Sequence, residues 1–149
     1  MSEHVAEIVW TRTSESFAYD HYNRAHDWRF DGGVVVPGSA APAFKGDPTH
    51  VDPEEAYVAA LCSCHMLTFL AIAAKKKLTV DAYSDRAVGR MDKNASGKLA
   101  ITSVDLHPHV TFAPGVEVDA ATMKKMHHDA HENCFIAQSV KTLVIVHSK

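Results

Sequence analysis

Three cysteines, Cys62, Cys64 and Cys134, and eleven histidines are the residues of this 149-residue chain best suited to chemistry. A thiolate is a nucleophile and a ligand for soft metals; an imidazole carries protons and binds metals near neutral pH. On a helix, Cys62 and Cys64 are rotated by roughly 200° from each other, so they neither bond to one another nor share a metal. At most one of them joins Cys134 in a site, and the other reads as a small buried hydrophobe. Cys134 closes a histidine-rich run in which His127 and His131 stand one turn apart. That spacing puts His127, His131 and Cys134 on one face with ligands suited to zinc, with His65 as a conceivable fourth. The plainer alternatives are two inert thiols and a solvated histidine face.

These residues must be positioned by a fold, and the composition sets its class. A chain that is 46% hydrophobic and 22% charged, with seven Gly and six Pro, is an ordinary globular one, and 149 residues suit a single domain over 1–149. A formal charge of -3 offers no basic surface for nucleic acid or anionic lipid. An odd count of three cysteines excludes the disulfide framework of a small secreted domain. Acid at Glu3 and Glu7 stands where a signal or transit peptide needs base and then an apolar run, so a reducing cytoplasm is the expected compartment. The stretch from Ala56 to Ala74 approaches the length of a membrane span, but Ser63, His65 and Thr68 interrupt it, and a central helix buried on most sides is expected.

Alternation over Val5–Trp10 predicts an opening strand, and His26–Phe30, Asp31-Gly32-Gly33 and Val34–Val36 predict a hairpin. The Pro-, Gly- and Ala-rich stretch from Pro37 to Val51 is a long loop. Asp52-Pro53-Glu54-Glu55 opens a helix with an N-cap, a proline at the first position and acids at the positive end of the dipole. Tyr57, Ala60, Leu61, Cys64, Leu67, Thr68 and Ala71 then recur as an apolar stripe, which selects Cys64 over Cys62. Two β-rich stretches, about Leu78–Met91 and Leu99–Phe112, are joined by a turn at Asp92–Gly97 and predict one long hairpin. A second helix starts at Asp119, stapled by Val118 and Met123, and runs to Asn133; Leu143–Val146 closes the chain as a strand. The order predicts an α+β fold in which two main helices cover antiparallel sheet.

The pairing of Asp52-Pro53-Glu54-Glu55, Ala59-Ala60-Leu61 and Cys64-His65-Met66 with the downstream Ala130-His131-Glu132-Asn133-Cys134 resembles the OsmC/Ohr family, the osmotically inducible and organic hydroperoxide resistance proteins. The order of elements is similar over essentially the whole chain. The resemblance implies an OsmC-like fold, an intertwined homodimer with sites at the dimer interface, and a thiol peroxidase that reduces organic hydroperoxides. It implies Cys64 as the peroxidatic cysteine, Cys134 as the resolving one and Glu54 as the acid of the first motif. Arg24 is the best match for the active-site arginine, with Arg29 as fallback. Phe135 departs from the pattern, since many relatives have Pro after the second cysteine. The implied reductant is a dithiol, such as a dihydrolipoyl group on a lipoylated protein, and no bound cofactor or metal is required.

The chemistry accounts for these residue types. A thiol of pKa ~8.5 is only about 3% thiolate at neutral pH, and one of ~6 is roughly 90%. An arginine that forks toward sulfur and peroxide oxygen favours the thiolate, and a carboxylate orients the arginine. About 15 Å of helix axis separates Glu54 from Cys64 at ~1.5 Å per residue, so a glutamate from a second subunit is the simpler donor. The alternative is a noncatalytic ligand-binding stress-response module of the same fold, with an apolar pocket expected about Tyr57, Leu61, Met66, Phe135 and Phe44. A His/Cys zinc-binding protein is a further alternative. His65 points about 100° away from Cys64 and is no evident base.

Overall fold

The computed structural model describes residues 1–148 and divides the chain into two compact units, Met1–Ala56 and Tyr57–Lys149. In the first unit, β1 (Ala6–Val9), β2 (His26–Phe30) and β3 (Val35–Gly38) form an antiparallel sheet in the order β1-β2-β3. The expected hairpin is present: Gly33, at φ 82°, takes the left-handed conformation that an L side chain resists. A single 3-10 turn at Pro42–Phe44 interrupts the long loop.

Helix α1 spans Pro53–Lys75, and its start is fixed by a reciprocal capping box. Asp52 Oδ1 accepts from the Glu55 amide at 2.8 Å, while the Asp52 amide donates to Glu55 Oε2 at 3.2 Å. The expected apolar stripe is corrected by one position. The fully buried row is Leu61, His65, Phe69 and Ala73, an i, i+4 series, whereas Leu67 is 60% exposed and Ala60 and Ala71 lie at the surface. His65, which interrupts the apolar stretch by residue type, lies in the core against another imidazole. Nor is α1 buried on most sides: one row faces the protein, although the helix is long and apolar enough to cross a bilayer.

The predicted long hairpin is cut in two. Helix α1 is followed by β4 (Val80–Asp85), β5 (Val88–Lys93), β6 (Leu99–Leu106) and β7 (Pro108–Phe112). β4 pairs with β7, and β5 pairs with β6. At the break, Asp85 Oδ1 accepts the His107 amide at 2.7 Å, so a side chain takes over where the ladder stops. The β5–β6 turn is the expected one: Asn94 Oδ1 accepts from the amides of Ser96 and Lys98, and Gly97 takes φ 76°.

Helix α2 (Ala120–Asn133) starts at its predicted N-cap, with Asp119 accepting from the Thr122 amide at 2.7 Å. A short unpredicted helix, α3 (Phe135–Gln138), follows. Strand β8 (Leu143–Val146) then lies parallel to β6, a departure from purely antiparallel sheet that the α2–α3 crossover allows.

Two hydrocarbon clusters hold this second unit. Phe69 and Ala73 of α1 meet Met126 and Ala130 of α2 over Val80, Val110 and Phe112, and Leu61 packs with Val104 and Leu106 on the β6–β8 sheet. Each fully buried Leu, Phe or Met contributes roughly 1.5–3 kcal/mol. Tyr57 closes the second cluster by donating its hydroxyl to Thr142 Oγ1 at 2.6 Å, and Thr142 donates in turn to the Ile101 carbonyl at 2.7 Å.

Candidate active site

Cys64 and Cys134 meet within the Tyr57–Lys149 unit. All three cysteines are unbonded, and the Cys64 thiol is near enough to Cys134 to perturb its titration. Two elements bring them there. Cys64 sits mid-way along α1, half-buried beside the core row. Cys134 stands at the junction where α2 ends and α3 begins, and is 1% exposed. Its Sγ also caps α3 by accepting the Ala137 amide at 3.4 Å. Burial, and then the neighbouring Cys64 thiol, push the Cys134 thiol up to about 11. It therefore keeps its proton at neutral pH.

Cys62 faces away, as the helical rotation requires, but it is half-buried rather than an inert core hydrophobe. Burial, followed by the nearby Asp85 carboxylate, pushes its thiol up to about 11.

The histidines have a different role from the one their spacing suggests. His65 is 1% exposed and its Nε2 lies 3.1 Å from His127 Nδ1, with the rings stacked at 5.4 Å and Phe69 on the other side of His127 at 4.4 Å. Burial holds both imidazoles down to about 4; for His65, His127 and His131 add like-charge repulsion. Among the described residues, no group of three or more His, Cys, Asp or Glu is arranged to hold a metal ion. The face expected to carry His127, His131 and Cys134 as ligands is thus split, with His127 turned to His65 and Cys134 to Cys64.

Arg24 and Glu54 belong to the Met1–Ala56 unit. The Arg24 guanidinium donates to the carbonyls of Tyr22 at 2.7 Å and Tyr19 at 2.5 Å, and its Cζ lies 3.9 Å from the centre of the Tyr22 ring. Trp10, Phe17, Tyr19, Tyr22 and His26 join it around a cavity of about 580 Å³. Phe17 and Tyr22 are 5.3 Å apart, and Trp10 flanks both at 6.1 and 6.5 Å. Arg29, the fallback, is on β2 beside Glu7 and Asp27, with a half-exposed side chain. Among the described residues, Glu54 Oε2 is buried with no hydrogen-bond partner, and no ion pair joins it to Arg24.

Of the residues expected about an apolar pocket, Tyr57, Leu61, Met66, Phe135 and Phe44, two are placed differently from one another. Leu61 is spent on the core and Phe135 is 82% exposed. The aromatic cluster that lines the cavity at Arg24 has no helical or strand period. The density of Trp, Phe and Tyr between Trp10 and Trp28 is the signal that marks it.

The unit is an α+β one in which a long core helix and a second helix bring two cysteines into one neighbourhood. The chain belongs to the OsmC family: the OsmC-like protein family model matches residues 46–148. An OsmC-like protein of unknown function from Vibrio cholerae is 49% identical, with a TM-score of 0.95 over 99% of both chains. The organic hydroperoxide resistance protein OsmC of Legionella pneumophila shares the fold at a TM-score of 0.70, with 15% identity over 98% of this chain and 94% of that one. The organic hydroperoxide resistance protein OhrB of Bacillus subtilis does so at 0.68, with 19% identity over 97% and 98%. No curated protein sequence matches significantly.

Proposed function

We propose that the protein is a cysteine-based peroxidase that reduces organic hydroperoxides to alcohols. The observation that carries this reading is the juxtaposition of the Cys64 and Cys134 thiols, unbonded and from separate helices. Cys64 thiolate attacks the terminal peroxide oxygen; the O–O bond breaks, and the alkoxide leaves and is protonated to the alcohol. Cys64 is left as sulfenic acid. Cys134 sulfur then attacks Cys64 sulfur, and hydroxide departs with the Cys134 proton as water, leaving a disulfide. The Cys134 sulfur attacks as its proton leaves, and that proton goes to the departing hydroxide. A dithiol, such as a lipoylated protein, returns two electrons and two protons.

Arg24 supplies the fixed positive charge that favours thiolate and the developing alkoxide, and Glu54 orients an arginine. Glu54's buried, partnerless Oε2 supports the view that its guanidinium partner comes from a second copy in a homodimer. The site acts in the cytoplasm without a bound cofactor.

Dithiol-dependent consumption of cumene hydroperoxide by wild type, Cys64→Ser and Cys134→Ser tests the reading. Equal rates in wild type and Cys64→Ser overturn it, and a monomer at micromolar concentration in sedimentation overturns the shared-glutamate part. The cavity at Arg24 favours a second reading, a ligand-binding module, which requires saturable binding of the peroxide or its alcohol with no turnover.

A further inference from the structure

We propose that His26 is a positioning residue: a neutral ring protonated at Nδ1 that ties the loop carrying Arg24 to the β2–β3 ribbon. Its catalytic consequence rests on the peroxidase reading given above; the tether itself does not.

The tautomer follows from the partners. An indole N–H can only donate, and Trp28 Nε1 lies 2.6 Å from His26 Nε2, so Nε2 carries the lone pair. A carbonyl can only accept, and the Arg24 carbonyl lies 2.7 Å from His26 Nδ1, so Nδ1 carries the proton. Both ring nitrogens are therefore used, in one tautomer and one orientation.

The ribbon is shaped for this pair. His26 and Trp28 are alternate residues of β2 and share a face, with rings 6.1 Å apart. Across the ladder, Gly38 stands opposite His26. A Cβ at Gly38 would fall 2.3 Å from Trp28 Nε1 and 2.8 Å from His26 Nε2, so glycine leaves the space the pair occupies.

Arg24 is thus held from both sides. On its N-terminal side, Asn23 donates from Nδ2 to the Thr11 carbonyl, accepts the Thr13 amide at Oδ1, and takes the Trp10 indole N–H on its own carbonyl. On its C-terminal side, His26 takes the Arg24 carbonyl. The guanidinium lies against Tyr19 and Tyr22 only while that segment keeps its shape.

Two substitutions separate the tether from mere packing. In His26→Asn the amide N–H reaches the Nδ1 position and keeps the donor to Arg24; in His26→Gln the amide reaches the Nε2 position and loses it. Packing alone ranks Gln above Asn, because Gln is closer to His in size, whereas the tether ranks Asn above Gln. Trypsin cleavage after Arg24 reads the loop without reference to catalysis. The expected result is cleavage about tenfold faster than wild type in His26→Gln and within about twofold in His26→Asn, the size of one lost hydrogen bond. The kcat/KM for cumene hydroperoxide follows the same order.

Cleavage of His26→Gln at the wild-type rate, or of His26→Asn as fast as His26→Gln, overturns the tether. Should both variants fold poorly, Trp28→Phe serves: it removes the donor to Nε2, and an unchanged cleavage rate there overturns the proposal. A wild type that consumes no peroxide while the cleavage order holds removes the peroxidase reading and leaves the tether standing.

Discussion

The two units hold their chemical groups by opposite means. Every fully buried apolar side chain among the described residues, from Leu61 and Phe69 to Ala130 and Cys134, lies in the Tyr57–Lys149 unit. The Met1–Ala56 unit buries Gly38, Ser39 and Asp52 and is otherwise knit by aromatic rings and by side chains bonded to carbonyls. The difference matches what each group needs. A thiol held next to another must be fixed by packing, since sulfur makes only weak hydrogen bonds. A guanidinium has five donors and is oriented by acceptors, so a loop of carbonyls holds it without hydrocarbon.

The contrast breaks most sharply at Cys64. Cys64→Ser is expected to lower dithiol-dependent peroxide consumption by on the order of a thousandfold or more while leaving the thermal unfolding midpoint within a few degrees, because the side chain is only half-buried. Arg24→Met, read in the same assay, is expected to cost about a hundredfold, the scale for loss of one preorganised charge donor. An effect of Arg24→Met on stability larger than its effect on rate would show that the arginine holds the loop rather than serving the chemistry.

Acid sharpens the comparison from the packed side. His65 and His127 are held down to about 4 in the folded protein against about 6.5 unfolded, so the unfolded chain binds more protons between those values. Their contribution is fully present above pH ~6.5 and is lost as pH falls toward about 4. The loss is on the order of 3 kcal/mol for one imidazole and larger for the pair, since repulsion between two imidazoliums further opposes protonation of the folded protein. Urea midpoints measured from pH 7 to 4.5 should fall steeply in wild type and less so in His65→Leu; parallel curves would overturn the assignment. The smallest effect is expected at the helix start: Asp52→Ala removes half the capping box and should cost about 1 kcal/mol by urea denaturation.

Much of the fold was legible wherever a local rule decided it. The caps at Asp52 and Asp119 start their helices at the predicted residues because each carboxylate takes an amide that has no other partner. The break in the long hairpin was not legible. Alternation runs on through Arg86 and His107, and only the tertiary bond from His107 to Asp85 reveals where the ladder ends. The parallel seat of β8 is likewise invisible in Leu-Val-Ile-Val, which would suit either direction. At the site, the motif pointed to Cys64 and Cys134, which are neighbours, whereas the apolar stripe that also selected Cys64 is out of phase with the buried row. The surroundings of Arg24 escaped because a loop of rings and carbonyls has no period to read. The burial of His65 was not legible because residue type says nothing of a second imidazole waiting in the core.

The parallel seating of β8 has a consequence for the order in which the protein assembles. The β5–β6 turn closes through Asn94 over a few residues, on the timescale of a hairpin, whereas the bond from Thr142 to Ile101 spans 41 residues of chain and needs both short helices in between. Such distant closure is slow relative to local turns. Cys134 lies inside that same span, so its meeting with Cys64 belongs to the late, cooperative part of folding. A freshly refolding molecule therefore closes its local turns before it acquires a pair of neighbouring sulfurs.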